Sequence, residues 1–276
     1  MRKQLTVLPS QGFITDAVID RAEGLLLGLA AGDRNGGPIQ MATRLAESLI
    51  EAGKADIPDI GSRYMDWWRN GAFDTGPTAA SVFALVDSGE SFANAAERVH
   101  RQSNGLTAGC NPAHRSAPLA MVPRAINVQL EQAAQQEAAL THLHPLSSDV
   151  AAAVVLLCRE LIHGTSWKDA LEVARIGRFP ETQAAMAPSK SSHGLNTGGF
   201  APDVLAAAIY FVGSSDTFGA ALEASFAFAG PENYCPVLVG SIGGARWGAG
   251  SISERMLEHC EILPRVRKAA GSLASQ

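Results

Sequence analysis

Gly109-Cys110-Asn111-Pro112-Ala113-His114-Arg115-Ser116-Ala117-Pro118-Leu119 and, further on, Thr141-His142-Leu143-His144-Pro145 are two polar, proline-bearing strings in a chain that otherwise reads as apolar, alanine-rich helix. Pro, Asn and His at this density mark backbone that leaves a regular helix to present polar side chains. Polar turns carried by a helical body are where small-molecule sites form. Two such strings, each with an imidazole, point to a shared pocket.

Working outward, helical periodicity dominates. Thr15 caps a helix that runs to Leu29 and ends at Gly32, and a second begins near Ile39 and closes at Gly53. Further helices fit Ile57–Trp68, Thr78–Val86, Phe92–Arg101, Val128–Ala139, Ser147–Ile162, Trp167–Ile176, Pro202–Val212, Thr217–Phe228 and Cys235–Trp247. Amphipathic Ser253–Cys260 closes the globule, residues 1–14 read as a loose start, and Lys268–Gln276 reads as a frayed tail. Ala151–Leu157 and Leu205–Ile209 are apolar on nearly every side, which suits central helices. Strand-type alternation is scarce. The expectation is one all-α domain over residues 1–276, with its core at about 15–263.

Composition excludes several classes. Hydrophobic residues make up 46% of the chain and charged ones 18%, the balance of a globular domain rather than a disordered one. A net charge of −5 without a Lys/Arg run argues against a nucleic-acid partner. The apolar run Ala151–Cys158 is too short to cross a bilayer, so no membrane partner is expected. Cys110, Cys158, Cys235 and Cys260 lack CxxC spacing and read as reduced thiols of a cytoplasmic protein. P-loop, dinucleotide, HExxH, GxSxG and EF-hand signatures are all missing.

The order of motifs resembles the ADP-ribosylglycohydrolase family from about Arg21 to Trp247. Gly28-Leu29-Ala30-Ala31-Gly32-Asp33 looks like its opening GLAxGD, and Gln40–Leu49 like the helix after its TDDT motif. Asp74-Thr75-Gly76-Pro77-Thr78 is similar to DxGxT, Gly109–Leu119 to GNGxxMRxxPL, and Thr141-His142 to the TH turn. Phe200–Phe211 looks like GYVxDTLxAALW with Asp203 at the acidic position, and Phe218–Trp247 like the terminal helix pair. The resemblance implies an orthogonal helical globule with a central cleft, and a ribosyl or glycosidic small-molecule ligand.

The same alignment exposes departures. The family typically holds two Mg²⁺ ions through Thr-Asp-Asp and Asp-x-Asp-Thr. Here those positions fall on Gly36-Gly37-Pro38-Ile39 and on Ala229-Gly230-Pro231-Glu232-Asn233-Tyr234. Magnesium needs oxygen ligands, chiefly carboxylates, and Gly, Pro and Ile offer none. No metal cofactor is therefore expected. The segment from Asp33 to Gln40 is also shorter than the family's.

Asp74 is the best surviving acid and Glu232 the second candidate, since a carboxylate can stabilise an oxocarbenium-like state, attack it, or activate water. Asp74 can equally serve as a helix cap. Asp33, Asn111, His114, Arg115, His142, Asn196, Asn233 and Tyr234 complete the expected substrate-binding set. Arg115 would hold a phosphate or carboxylate through paired hydrogen bonds, while His142 also fits a scaffold role. Glu232 and Tyr234 sit where metals would be and could replace them with direct hydrogen bonds. The functional expectation is a metal-independent hydrolase of an N- or O-ribosyl bond. The alternative is an inactive relative that binds an ADP-ribose-like ligand or a partner, or is structural. Oligomeric state is left open.

Overall fold

The structure is a computed structural model that describes residues 15–189 and 191–276, so the loose start expected for residues 1–14 lies outside the described residues. Thr15 accepts a hydrogen bond from the Val18 amide and opens α1 (Asp16–Gly32). Next come α2 (Gly37–Ala52), α3 (Ile57–Arg69), α4 (Pro77–Asp87), α5 (Phe92–Gln102) and a one-turn α6 (Asn111–Arg115). After a 3₁₀ turn at Ala117–Met121 come α7 (Asn127–Ala138), α8 (Pro145–Ile162), α9 (Trp167–Arg175) and α10 (Pro180–Ala185). Then α11 (Ala201–Gly213), α12 (Phe218–Ala229), α13 (Tyr234–Trp247) and α14 (Leu263–Ala274) complete the fold. Strands are absent among the described residues; a single antiparallel bridge joins Gly109 to Phe200. The all-α expectation holds.

Packing centres on α8, α1 and α13. Every α8 residue from Asp149 to Cys158 is buried, as its all-round apolar sequence requires. Gly24, Gly28 and Gly32 recur every four residues and form one stripe along α1. A Cβ built on any of them would stand well under 3.0 Å from backbone oxygens of Gly244, Gly240 or Pro236 on α13. Conversely, Cβ atoms on Gly240 and Gly244 would strike the Gly28 and Gly24 carbonyls. The two antiparallel helices thus meet backbone to backbone.

Three expectations need correction. Residues 268–276 are not a frayed tail. Val266, Ala269, Ala270 and Leu273 recur at i, i+3, i+4 and i+7 and are buried as the inner face of α14, which packs on α1 and α2. Ser253–Cys260 is not a helix but a 3₁₀ turn at Glu254–Met256 with further turns. The string at 109–119 is not open loop, because Pro112 and Pro118 each sit in the first turn of a short helical segment, where no amide proton is needed.

Because the glycine contact has no slack, Gly28→Ala should cost at least about 2 kcal/mol of unfolding free energy, the scale of a forced overpacking. Gly250→Ala, where the new methyl meets nothing closer than 3.6 Å, should cost far less in the same denaturant titration. Equal costs at the two positions would show that the helices can part.

Candidate active site

The close helix pair sets two chain ends side by side: Asp33 just after α1 and Asn233 just before α13. Asn233 Nδ2 donates to Asp33 Oδ1 at 2.7 Å, and Asn233 Oδ1 accepts from the Arg34 amide at 3.1 Å. Asp33 also accepts from the Gly36 and Ile39 amides, both at 2.8 Å, and so caps the start of α2. It is buried, and burial raises its carboxyl pKa against the opposing pull of these hydrogen bonds. Its oxygens are consumed inside the protein.

Across from this pair lies the 73–76 loop. Asp74 takes the left-handed conformation (φ 49°), which Asp tolerates better than most residues. Its side chain is exposed on one face and crowded on the other; that crowding, then the Asp33 carboxyl, raises its pKa above the ordinary carboxylate value. Hydrogen bonds from the Asn35 side chain and the Gly37 amide oppose the shift. Gly37 abuts the loop so closely that a Cβ there would meet the Asp74 backbone and Cβ well inside van der Waals distance. Asn111, at the start of α6, donates to the Thr75 carbonyl at 2.5 Å and packs against Gly76.

Tyr234 forms the third side. It is half-buried, its ring rests on Gly199, and His114 stacks behind it with centroids 6.5 Å apart. Burial, followed by Cys110, Glu232 and Asp74, raises the phenol pKa, so the O–H stays a donor at neutral pH. The Gly109–Phe200 bridge, with the Cys110 amide donating to the Gly199 carbonyl at 3.1 Å, brings the 107–111 and 196–200 segments together here. Glu232 is exposed on the same turn, and its carbonyl accepts from Arg34.

Asp33, Asp74, Asn111, Glu232, Asn233 and Tyr234 therefore come together. Arg115 and His142 do not reach the cleft surface. Arg115 is 1% exposed; its Nε binds Glu137 Oε1 at 2.5 Å and its Nη2 binds Thr141 Oγ1 at 2.9 Å. Tyr64 donates to the same Glu137 oxygen at 2.9 Å. The anion partner expected for Arg115 is thus a buried glutamate of its own chain. His142 Nδ1 pairs with Thr141 Oγ1 at 2.8 Å, the scaffold arrangement. His114 is buried behind Tyr234 rather than open to a ligand. Asn196 is exposed on the incoming loop and donates to Asp203 at 3.1 Å. Sequence reasoning missed Glu137, though it stands seven residues after Leu130 on the inner face of α7. It also missed Arg34 and Asn35, polar residues directly after the GLAxGD-like turn.

No point among the described residues gathers three or more His, Cys, Asp or Glu side chains in metal-binding proximity.

A model of the ADP-ribosylglycohydrolase family matches residues 38–276. This chain belongs to the ADP-ribosylglycohydrolase family. It is 24% identical to an ADP-ribosylarginine hydrolase from Serratia proteamaculans, over 92% of this chain and 79% of that relative. It is 22% identical to the ADP-ribosyl-[dinitrogen reductase] glycohydrolase of Rhodospirillum rubrum, over 89% and 92% of the two chains. A solved structure, an ADP-ribosylglycohydrolase-related protein complex, superposes with a TM-score of 0.76 at 21% identity, covering 95% of this chain and 99% of that one. That likeness confirms the fold.

The two buried imidazoles set a pH dependence. Burial first, then the Arg115 charge, lowers His142 to about 3. For His114 burial again leads, offset in part by a hydrogen bond to the Tyr234 backbone, and the result is about 4. Unfolded, both titrate near 6.5. Between those values the unfolded chain holds more protons, so stability falls as pH drops below about 6.5, by up to about 1.4 kcal/mol per pH unit for each imidazole. Denaturant titrations at pH 7.5 and 5 should show this loss, and His142→Asn should reduce it. Equal stability at the two pH values would contradict the burial of uncharged rings.

Proposed function

We propose that this family member is a hydrolase of a ribosyl glycosidic bond that works without the paired magnesium ions, with Asp74 as its carboxylate. The observation that carries the reading is the placement of Asp74: an exposed carboxyl on a conformationally constrained loop, held by Asn35 and Gly37 and close enough to Tyr234 to perturb it. The residues present do not fit a two-magnesium centre. At Gly37, within the first ligand motif, there is no space for a side chain, Asp33 is spent on capping α2, and Glu232 belongs to no group of three His, Cys, Asp or Glu side chains among the described residues.

The reaction follows from these groups. Asp74 takes a proton from water as the water oxygen bonds to the anomeric carbon. The glycosidic bond breaks, the leaving nitrogen or oxygen takes a proton from solvent, and Asp74 returns its own proton to solvent. Attack by Asp74 itself would give a ribosyl ester that water then cleaves. In either route a carboxylate faces the positive charge developing on the ring. Tyr234, kept protonated, donates a hydrogen bond into the same space, and Glu232 is positioned to accept one from the ligand. Asn111 acts by holding the 74–76 loop. The family supplies the substrate class, an ADP-ribosyl or related ribosyl compound. No helix among the described residues is long and apolar enough to cross a membrane. All four cysteines are free, three of them buried, which suits a reducing cytoplasmic setting.

Asp74→Asn should lower kcat/KM on a cleavable ribosyl substrate by about a hundredfold or more while leaving the melting temperature near wild type. The wild-type kcat/KM should fall as pH drops through an ionisation above the ordinary aspartate value, since only the carboxylate accepts a proton. If Asp74→Asn is fully active and Glu232→Gln is not, the working acid is Glu232. A ligand bound but never consumed would favour the inactive relative.

A further inference from the structure

A cavity of about 130 Å³ opens between the start of α2, Phe73, which precedes Asp74 in the chain, and the 259–262 segment. Phe73 forms an aromatic wall. It is 41% exposed, a large apolar ring left open, and Trp67 braces it at 6.0 Å between centroids. The polar rim is made by Arg34, Asn35, Gln40, His259 and Glu261. Gln40 Oε1 accepts from Arg44 Nη1 at 2.6 Å, which leaves its amide N–H groups uncommitted. His259 Nε2–H donates to the Asp33 carbonyl at 3.2 Å. Asn35 belongs to both places, since it lines the cavity and hydrogen-bonds Asp74.

We propose that this cavity takes the leaving group of the substrate, and that the group is a compact, planar, uncharged nitrogen heterocycle or carboxamide of the nucleobase or nicotinamide kind. The inference rests on the ribosyl-hydrolase reading of Asp74 and adds specificity to it. Size points to one ring, since an apolar hole of roughly 150 Å³ accommodates benzene. The aromatic wall suits stacking against a flat face. Amide and imidazole groups at the rim match the alternating donors and acceptors on the edge of a base or amide.

The Serratia relative is named for ADP-ribosylarginine, whose guanidinium is positive. Here Arg34 lines the cavity, while its guanidinium bonds the Glu232 carbonyl and stacks 4.9 Å over Phe226. Asp33 and Glu261 line the same cavity, so a cation is kept as the comparison ligand.

The test titrates the intact protein with nicotinamide, uracil and agmatine, followed by ligand-observed NMR or calorimetry, so that no turnover is needed. At least one of the two heterocycles should bind more tightly than agmatine, and Phe73→Ala should weaken that binding at least tenfold at unchanged melting temperature. Phe73→Leu, which keeps the apolar bulk but not the flat face, should fall between. The proposal is overturned if neither heterocycle binds at millimolar concentration, if agmatine binds best, or if Phe73→Ala binds like wild type. Heterocycle binding as expected, with no ribosyl compound hydrolysed, would remove the catalytic reading and leave the cavity assignment standing. Hydrolysis by a protein with no Phe73-dependent heterocycle binding would do the reverse.

Discussion

Where Gly24, Gly28 and Gly32 of α1 meet Gly240 and Gly244 of α13, carbonyl oxygens of each helix lie against bare α-carbons of the other. Five helical glycines carry a real penalty, about 1 kcal/mol each relative to alanine. The close approach offsets it through dispersion along the whole contact, and the antiparallel helix dipoles add to the attraction. The consequence for the site is positional. The contact fixes where α1 ends and α13 begins, and so sets Asp33 against Asn233 within one hydrogen bond. Asp33 in turn caps α2, and the start of α2 abuts the Asp74 loop. Each step is short-range and leaves little play.

A second constraint comes from the interior. Arg115, Glu137, Tyr64 and Thr141 join α6, α3, α7 and the turn before α8 through hydrogen bonds with almost no solvent access. Such a network gives little net stability over an apolar core, but losing one member leaves an uncompensated buried charge. Its effect here is to fix α6, and with it Asn111 beneath the 74–76 loop. The polar strings at 109–119 and 141–145 therefore serve the cleft partly from behind. His142 and Arg115 hold the wall, whereas Asn111 and, through Tyr234, His114 stand nearer its face.

Much of this was legible in the chain. Long apolar helices such as α8 announced themselves, because all-round hydrophobicity has no other stable home. The spacing Gly24-x₃-Gly28-x₃-Gly32 carries no meaning until its partner on α13, two hundred residues away, is in place, so it went unread. α14 escaped because alanines make a weak stripe among Arg and Lys residues, and only the 3.6-residue period of Val266, Ala269, Ala270 and Leu273 betrays it. Asp74, Asn111, Asn233 and Tyr234 were named as candidates by motif register, and the fold sets them near one another. Arg115 was assigned to a ligand because nothing local reveals that Glu137, on a different helix, takes its charge. The joining of Gly109 to Phe200 depends on tertiary contact alone.

The central claim is that carboxylate, amide and phenol groups do here what a metal pair does elsewhere, and it is open to one direct measurement. Protein stripped with EDTA and assayed in metal-free buffer, then again after addition of millimolar Mg²⁺, should hydrolyse a ribosyl substrate at the same rate within twofold. Activity that vanishes on chelation and returns with magnesium would contradict the account.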